Sequence, residues 1–495
     1  MANTYKYGTY ADIGESVARN AVQSGTVTVY FGTAPINLIH GYKDLNVINN
    51  PVMLTNGVEA YRKFGNSINW KDFTLCEAFS AHFNNNMGNI GPIYVINVLD
   101  PDIHRKLSQT TITVNFLNGR AEFKSDKIII DTLLIEDLVN DVDFSIDYNF
   151  TKNSVIIKNL NEENPLTGQV QVTFYEIDTS LITYEDIIGG ISSSGEYFGI
   201  GALQLLYQEQ NAVANILVAP GWSEIPAVYN ALISASQKIN GHWDAFVMAD
   251  IPIEKNGEKI DSIDKAKNWK TMNGYSSERS KTYWPQVIDN LKNIYHLSTL
   301  ATVEMLRYDF SHNSVPIETP GNKEIKISKL FFGENNKNKG YDQQTANQLT
   351  SVGISTAVYW GGRWVLWGDH TSAYTYGADI DPRVIFDVSM RMLFHCTNGF
   401  QREWGIKIDK PFTRQLKDTI INKEQEKLDI LVSVGALIGK PTISFLEINN
   451  PITDMMNGDF RWDMQITPTP PFKSATICLT YTDEGFSSYF EGGSQ

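Results

Sequence analysis

Two nearly continuous apolar runs constrain the fold of this chain most. Residues 214–221 read ANILVAPG, and residues 244–250 read DAFVMAD. Each run has the length of a strand, and a helix expected to begin near Ser223 and to end at Asn240-Gly241 separates them. Strands that are apolar on both sides belong to sheets whose two faces are covered, usually by helices. The middle of the chain, residues 186–345, is therefore predicted to be an α/β domain.

A β-α-α-β block is predicted nearer the N-terminus. GTVTVYFGTAP, residues 25–35, alternates like a strand and closes on Gly and Pro. A first helix is expected between an N-cap at Thr55 or Asn56 and a C-cap at Gly65. FTLCEAFSAHF predicts a second helix with one apolar stripe, and IYVINVL, residues 93–99, has strand length.

The character of the sequence changes between residues 101 and 185. TTITVNF, VDFSIDYN, SVIIKNL and QVQVTFYEI are short alternating segments separated by turn residues. This pattern predicts an all-β insert of the sandwich or barrel type. Further on, the polar stretch from Glu254 to Lys281 has a weak pattern and is interpreted as a loop excursion.

The last third begins with a predicted hairpin, TAVYWGGRWVLWGD, that turns at Gly361-Gly362. One helix is expected to open at DPRVIFDV, with Asp381 as cap, and another to run from Thr413 to Val432. The segments PTISFLEI and FRWDMQIT are read as strands. Taken together, these segments predict an α+β multidomain protein.

The chain end, PTPPFKSATICLTYTDEGF, contains a last predicted strand from Lys473 to Thr482. Ala475, Ile477, Leu479 and Tyr481 fall on one face, which is the period-2 alternation of a half-buried strand. The prolines before it cannot donate to a ladder and favour a stiff connection. The strand is therefore held away from what precedes it, and two alternatives stay open: it completes a sheet of its own subunit or a sheet of a neighbouring subunit.

Charge and cysteine usage exclude several classes of function. The net charge of -15 argues against a protein whose main task is binding nucleic acid, which needs clustered positive charge. The three cysteines are far apart and match neither a disulfide framework nor a zinc site. No signal peptide and no run of ~20 apolar residues is present, so a soluble protein made in a cytoplasm, without membrane insertion, is expected.

Each candidate chemical motif also has a structural interpretation. The glycine-rich segment from Gly189 to Ala202 lacks the order of a nucleotide loop and is interpreted as a turn that feeds a helix. His395 and Cys396 are adjacent and would diverge on a helix, so a packed helix is preferred to a metal pair. His370 beside Asp369 is interpreted as a turn arrangement rather than a catalytic dyad. Core packing is the preferred interpretation of the tryptophans, which include Trp360, Trp364 and Trp367. No catalytic, cofactor-binding or metal-binding residue is predicted.

Several short motifs follow one another in an informative order. They include a GTAP turn at residues 32–35, a short helix ending in FG at residues 60–65, APG at residues 219–221, Tyr283-Trp284-Pro285, and a strand leading to WG at residues 365–369. Over about 450 residues this order resembles the tail sheath proteins of contractile-tailed phages and of R-type bacteriocins. Two departures are the opening YGTYADIGES in place of a PGVYVEE-like arm, and Asp369-His370-Thr371 in place of an Arg-Thr pair.

The resemblance implies a division of the chain into arms and domains. It gives an N-terminal linking arm at residues 1–24, which contains Tyr5, Tyr7 and Tyr10, and a C-terminal linking strand at residues 471–495. An inner domain would combine residues 25–100 with 346–470. The β-sandwich insert would span 101–185, and the middle domain, 186–345, would have subtilisin-like topology without protease activity.

The resemblance also implies a function. The subunit would form hexameric rings stacked helically around a tail tube and would contract to drive the tube through a cell envelope. Its partners would be other copies, the tube protein, and the baseplate and tail terminator proteins, in a virion tail or tail-like particle assembled in a bacterial cytoplasm. Two alternatives stay open: a surface- or carbohydrate-binding module, and an α/β enzyme with no recognisable site.

Overall fold

A computed structural model describes residues 25–85, 87–161, 165–255, 257–333 and 341–489. The predicted N-terminal arm, with Tyr5, Tyr7 and Tyr10, lies outside the described residues.

Strands occur throughout the described chain. In chain order they are β1 Thr28–Gly32, β2 Val52–Leu54, β3 Ile93–Asn97, β4 Thr110–Phe116, β5 Arg120–Lys124, β6 Leu134–Ile135, β7 Phe144–Asn149, β8 Ser154–Asn159, β9 Gly168–Phe174, β10 Gly190–Ile191, β11 Tyr197–Phe198, β12 Ile216–Val218, β13 Phe246–Asp250, β14 Glu254–Lys255, β15 Glu258–Lys259, β16 Ser280–Tyr283, β17 Gln286–Ile288, β18 Ile294–Tyr295, β19 Lys329–Phe331, β20 Ile354–Trp360, β21 Arg363–Trp367, β22 Thr442–Ser444 and β23 Asp463–Gln465.

The α-helices alternate with these strands. They are α1 Gly57–Phe64, α2 Leu75–Phe83, α3 Tyr184–Ile188, α4 Leu206–Gln210, α5 Pro226–Ala235, α6 Ile263–Met272, α7 Leu297–Ser311, α8 Gln343–Thr350, α9 Asp387–Trp404, α10 Arg414–Ser433 and α11 Ile452–Asn457.

An eight-stranded sheet forms the body of the molecule, in the order β2-β3-β1-β12-β13-β16-β20-β21. Its interior pairs, from β3 to β20, are parallel, whereas the outermost pair at each edge is antiparallel. Every residue of β1, β3, β12 and β13 is buried. The expectation of a sheet covered on both faces is confirmed, because strands of this kind have apolar neighbours above and below.

The expected division between an inner and a middle domain is wrong at residues 25–100. β1 lies between β3 and β12, with Thr28 opposite Ile216 and Val29 opposite Tyr94. Residues 25–100 therefore belong to the same sheet as most of residues 186–345, and β20 and β21 extend it beyond residue 346. A strand buried on both faces needs a partner along each edge, and β1 finds one of them far along the chain.

The polar stretch from Glu254 to Lys281, interpreted as a loop excursion, instead contains helix α6 and the start of β16. β16 is buried and pairs with β13 and β20. It escaped prediction because Lys281 stands in it, and the Nζ of that lysine lies 2.6 Å from Oδ2 of Asp387 with both side chains fully buried. A charge can lie inside a sheet when it is paired there.

The β-rich insert contains two three-stranded antiparallel sheets, β4-β9-β6 and β5-β8-β7. Their facing side chains form a separate apolar core that includes Phe116, Phe144 and Phe174. The two ends of the insert are hydrogen-bonded neighbours, because Arg105 bridges Ile177 and the N–H of Lys106 donates to the carbonyl of Glu176. The insert thus leaves and rejoins the main body at one point.

The glycine-rich segment owes its composition to close backbone packing. Gly189 ends α3 with φ +61, and a Cβ placed there would lie 1.9 Å from the carbonyl oxygen of Phe198. Gly199 has φ +58 and is equally confined by the backbone of Asp186 and Ile187. The segment folds into the small β10–β11 hairpin, so its glycines serve the fold.

We therefore expect Gly189→Ala to lower the free energy of unfolding by roughly 1–3 kcal/mol more than Gly195→Ala does, because overpacking adds to backbone strain. Gly195 is a matched control in the same segment, since it also has positive φ but no atom lies within 4 Å of the place that a Cβ would occupy. Chemical denaturation of both variants measures the difference. Equal losses would contradict the packing argument.

The C-terminal part carries two long helices. Thr413 caps α10 by accepting a hydrogen bond from the N–H of Leu416, as the sequence predicts. Asp381 caps only a short 3-10 turn, Pro382–Val384, and α9 begins later, at Asp387. The expectation that Trp360 packs in the core is wrong, because its side chain is 52% exposed on the β20–β21 hairpin.

Candidate functional site

The β22–β23 sheet is the feature of the C-terminal part that is best suited to pair with another strand. Ile443 lies opposite Met464 in a two-stranded antiparallel ladder of three residue pairs. Sheets of two strands are marginal on their own. This one rests on α10, where Ile443 joins a small core with Leu428 and Leu431.

The two edges of this sheet differ. Along the outer edge of β22, the side-chain amide of Gln425 donates to the carbonyl of Pro441 at 3.1 Å and accepts from the N–H of Ile443 at 3.4 Å. The backbone groups of that edge are thus partly satisfied by a side chain. Within the described chain, β23 pairs with no strand other than β22. The far edge of β23 is therefore available for a further strand.

An aromatic cluster supports the approach to β23. Phe412 stacks on Phe460 with ring centroids 3.8 Å apart, and Trp462 packs edge-on against Phe412 and Phe445. Asn450 fixes the same loop, because its side chain donates to the carbonyl of Arg461 and accepts from the N–H of that residue. The strand edge is consequently held in place by packing and by hydrogen bonds.

Large apolar side chains surround this region without being covered by the described chain. Their exposed fractions are 87% for Ile448, 71% for Ile452 and 82% for Met456. Clusters of exposed apolar side chains of this kind mark surfaces that contact another molecule.

The chain leaves the β22–β23 region through its prolines. Pro468 bridges Leu437, and the hydroxyl of Thr469 donates to the carbonyl of Gly435 at 2.7 Å. From Pro470 to Thr482 the described chain forms no strand and no helix.

The predicted linking residues of the C-terminal segment pair with no strand of the described chain. Exposed fractions are 86% for Ile477, 88% for Leu479 and 81% for Tyr481, and Ala475 is exposed as well. The structure thus places four predicted residues on one free segment and leaves their pairing as a prediction. The three tyrosines of the N-terminal arm are not among the described residues.

His395 and Cys396, which were considered above as a possible metal pair, lie in a packed helix. His395 and Cys396 lie on α9, and burial raises the pKa of the Cys396 thiol to about 11, which keeps it protonated. The described residues include no group of three or more His, Cys, Asp or Glu side chains that could hold a metal ion. Nor does any described helix combine the length and apolarity required to cross a bilayer.

No family model matches the chain. The tail sheath protein of Burkholderia phage BcepMu is 24% identical over 516 aligned positions, which cover 99% of this chain and 98% of that protein. A putative prophage major tail sheath protein of Pseudomonas aeruginosa is 22% identical over 60% of this chain and 72% of its own length. Over nearly its whole length, the chain is similar to a contractile tail sheath protein.

Solved structures share the fold of this chain. A chain of the anti-feeding prophage baseplate superposes with a TM-score of 0.54 at 13% identity, covering 97% of this chain and 99% of that one. The contracted sheath complex of an extracellular contractile injection system, PVC, gives a TM-score of 0.54 at 12% identity, with 98% and 100% coverage. The mixed α/β multidomain architecture is thus that of sheath proteins.

Sequence reasoning missed the residues that frame the open edge. Gln425 is one of many polar residues on α10, and its role depends on β22 lying beside it. Phe445, Phe460 and Trp462 fall in segments that the sequence predicts as strands, although they form the aromatic cluster beside a strand of only three residues. Their density in the short segments SF and FRW is the one available signal.

Proposed function

We propose that this protein is a structural subunit of a contractile tail sheath, and that its C-terminal segment links subunits by adding a strand to the β22–β23 sheet of an adjacent copy. One observation carries the proposal. The same chain has an unpaired alternating segment at residues 473–482 and a strand edge, that of β23, which its own described residues leave open. Addition of a strand to an open edge is a recurrent mode of assembly.

Strand addition depends on burial of the apolar face of the segment, because hydrogen bonds alone do not offset the entropy lost on ordering. A strand of eight residues that is paired along both of its edges gains about eight backbone hydrogen bonds, which contribute roughly 4–12 kcal/mol in total at a net 0.5–1.5 kcal/mol each. Ordering about ten residues costs roughly 10–20 kcal/mol. Burial of Ile477, Leu479 and Tyr481, each worth about 1.5–3 kcal/mol, is therefore needed to bring the balance close to zero or below. A link of this strength holds because each subunit is joined to several others.

The assembly proposed is a set of hexameric rings stacked helically around a tail tube. The N-terminal arm, with Tyr5, Tyr7 and Tyr10, would supply a second linking strand. Contraction would move the subunits as rigid bodies about these links and drive the tube through a target envelope. Tube, baseplate and tail terminator proteins would be the partners, and assembly would take place in the host cytoplasm before the particle is released. The subunit would need no cofactor and would catalyse no reaction.

Truncation after Pro471 tests the linking role. The shortened chain is expected to fold, because residues 472–489 pack little surface against the body, but not to form sheaths. Electron microscopy of purified full-length and truncated protein gives the comparison. Striated tubes of unchanged length and frequency from the truncated chain would show that the segment is not the link.

A pair of point variants separates strand addition from mere chain length. Ile477→Lys with Leu479→Lys places charges on the apolar face, whereas Thr476→Lys with Thr480→Lys places the same charges on the opposite face. We expect sheath formation to be lost in the first variant and retained in the second. Equal assembly of both would mean that alternation does not determine the contact.

A further inference from the structure

The Asp369-His370 pair, which the sheath function leaves unexplained, meets the base of the C-terminal segment. The Nζ of Lys473 lies 2.8 Å from Nε2 of His370. Lys473 is the second residue after Pro471, at the start of the predicted linking strand. A residue of the terminal segment is therefore bound to the loop that follows β21, at the edge of the main sheet.

The geometry defines the proton positions. Nδ1 of His370 lies 3.1 Å from the carbonyl oxygen of Ile385, which can only accept, so this nitrogen carries the hydrogen. Nε2 is then left as an acceptor for the ammonium of Lys473. Burial, and next the positive charge of Lys473, lower the pKa of His370 to about 3, so the ring is neutral at physiological pH.

Other side chains complete the surroundings of the ammonium. The ring of Tyr374 stacks on His370 at 3.5 Å, and Nζ of Lys473 lies 5.1 Å from the centroid of the tyrosine ring. Phe386 lies on His370 with centroids 5.3 Å apart. The carboxylate of Asp369 lies 3.5 Å from Nε2 of the histidine, and its field favours a nearby cation. An acceptor, a ring face and a negative charge thus converge on one lysine.

We propose that Asp369, His370 and Tyr374 form a seat for the Lys473 ammonium, and that this seat fixes where the C-terminal segment leaves the subunit. The segment is already attached to the β22–β23 region through Pro468 and Thr469. The seat adds a second attachment, on the main body, immediately before the linking strand. The strand therefore starts from a defined position. This positional role rests on the proposed linking function, whereas the seat itself does not.

Trypsin measures occupancy of the seat directly, because the protease must take the Lys473 side chain into its own pocket. Lys473 is the last basic residue of the sequence, so cleavage there releases a single peptide, residues 474–495. Mass spectrometry of unassembled full-length protein gives its initial rate of release. We expect His370→Phe, which keeps a stacked ring but removes the acceptor, to release the peptide about tenfold faster than the unaltered chain.

Three further variants distinguish the seat from a general loosening of the fold. His370→Gln restores an acceptor and is expected to recover much of the protection. Tyr374→Leu removes the ring face and is expected to accelerate release even if His370→Phe does not fold. Tyr376→Leu changes a ring that is 78% exposed two residues away and serves as the matched control, with release unchanged.

Equal rates of release from the unaltered chain, His370→Phe and Tyr374→Leu would overturn the seat. The same holds if His370→Gln is no better protected than His370→Phe. Because the assay uses unassembled subunits, its result is independent of the truncation experiment. Loss of the linking role would leave the protease result standing, and loss of the seat would leave the linking role standing.

Discussion

Replacement of Lys281 by methionine is expected to lower the free energy of unfolding by about 3–5 kcal/mol, because it leaves a buried carboxylate without its counter-charge. The ammonium of Lys281 lies 2.6 Å from Asp387, and neither side chain is exposed to solvent. The ammonium of Lys281 also donates to the carbonyl of Gly368 at 2.9 Å. The pair joins β16 in the main sheet to the first residue of α9. Urea denaturation at neutral pH measures the loss.

The double variant Lys281→Met with Asp387→Leu gives the control. Replacing both charges by apolar groups of similar size removes the desolvated carboxylate, so at least half of the lost stability is expected to return. The recovery is incomplete because Thr319, which donates to Asp387 at 3.0 Å, loses its acceptor. A double variant no more stable than Lys281→Met would mean that the lysine acts through packing rather than charge.

Acidification is expected to reduce stability through His82, and His82→Gln is expected to reduce that loss. His82 is fully buried on α2, where the hydroxyl of Tyr30 lies 2.7 Å from Nε2 and the carbonyl of Ile90 lies 3.0 Å from Nδ1. Burial lowers the pKa of its imidazole from 6.5 to about 4. The native state thus holds the neutral ring, while the unfolded chain takes up a proton below its own pKa.

The direction of the change in stability with pH follows from the lowered pKa of His82. The contribution of His82 is fully present above about pH 6.5 and is lost as the pH falls through about 4, with a total of roughly 3 kcal/mol. Denaturation midpoints between pH 7 and 4.5 should therefore fall less steeply in His82→Gln than in the unaltered protein.

The slopes of His82→Gln and the unaltered protein must be compared because other titratable groups change the stability in the opposite direction as the pH falls. Burial raises the pKa of Asp250 to about 7, so its protonated form suits the fold and its contribution is lost as the pH rises through that value. The pH profile of the unaltered protein adds such terms together. Parallel slopes for His82→Gln and the unaltered chain would show that the pKa of His82 is the same in the folded and unfolded states.

The local elements were largely predictable because their signals are local. Asn56 caps α1 by accepting from the N–H of Glu59, and Gly65 ends the helix with φ +75. β12 and β13 were found through their apolar runs. Lys281 concealed β16, because its partner Asp387 lies 106 positions away and no local pattern contains both. The pairing of β1 with β12 is more remote still in sequence, which is why the domain boundaries were misplaced.

The candidate site was predictable on one side only. The alternation of apolar residues at Ala475, Ile477, Leu479 and Tyr481 predicts that the segment forms a strand and pairs with a sheet. The edge that could receive it belongs to β23, which has three residues and becomes a strand through its ladder with β22. So short a segment has no periodicity of its own, and its edge exists only after α10 and the aromatic cluster are packed.

The closed base of the β-rich insert has a consequence for the design of sheath particles. Because the insert leaves and rejoins the body where Arg105 bridges Ile177, and has a core of its own, the main sheet does not depend on a strand from within it. The insert is thus a natural position for exchange with another compact domain whose ends lie equally close together. A particle built from such subunits would display one foreign domain per copy.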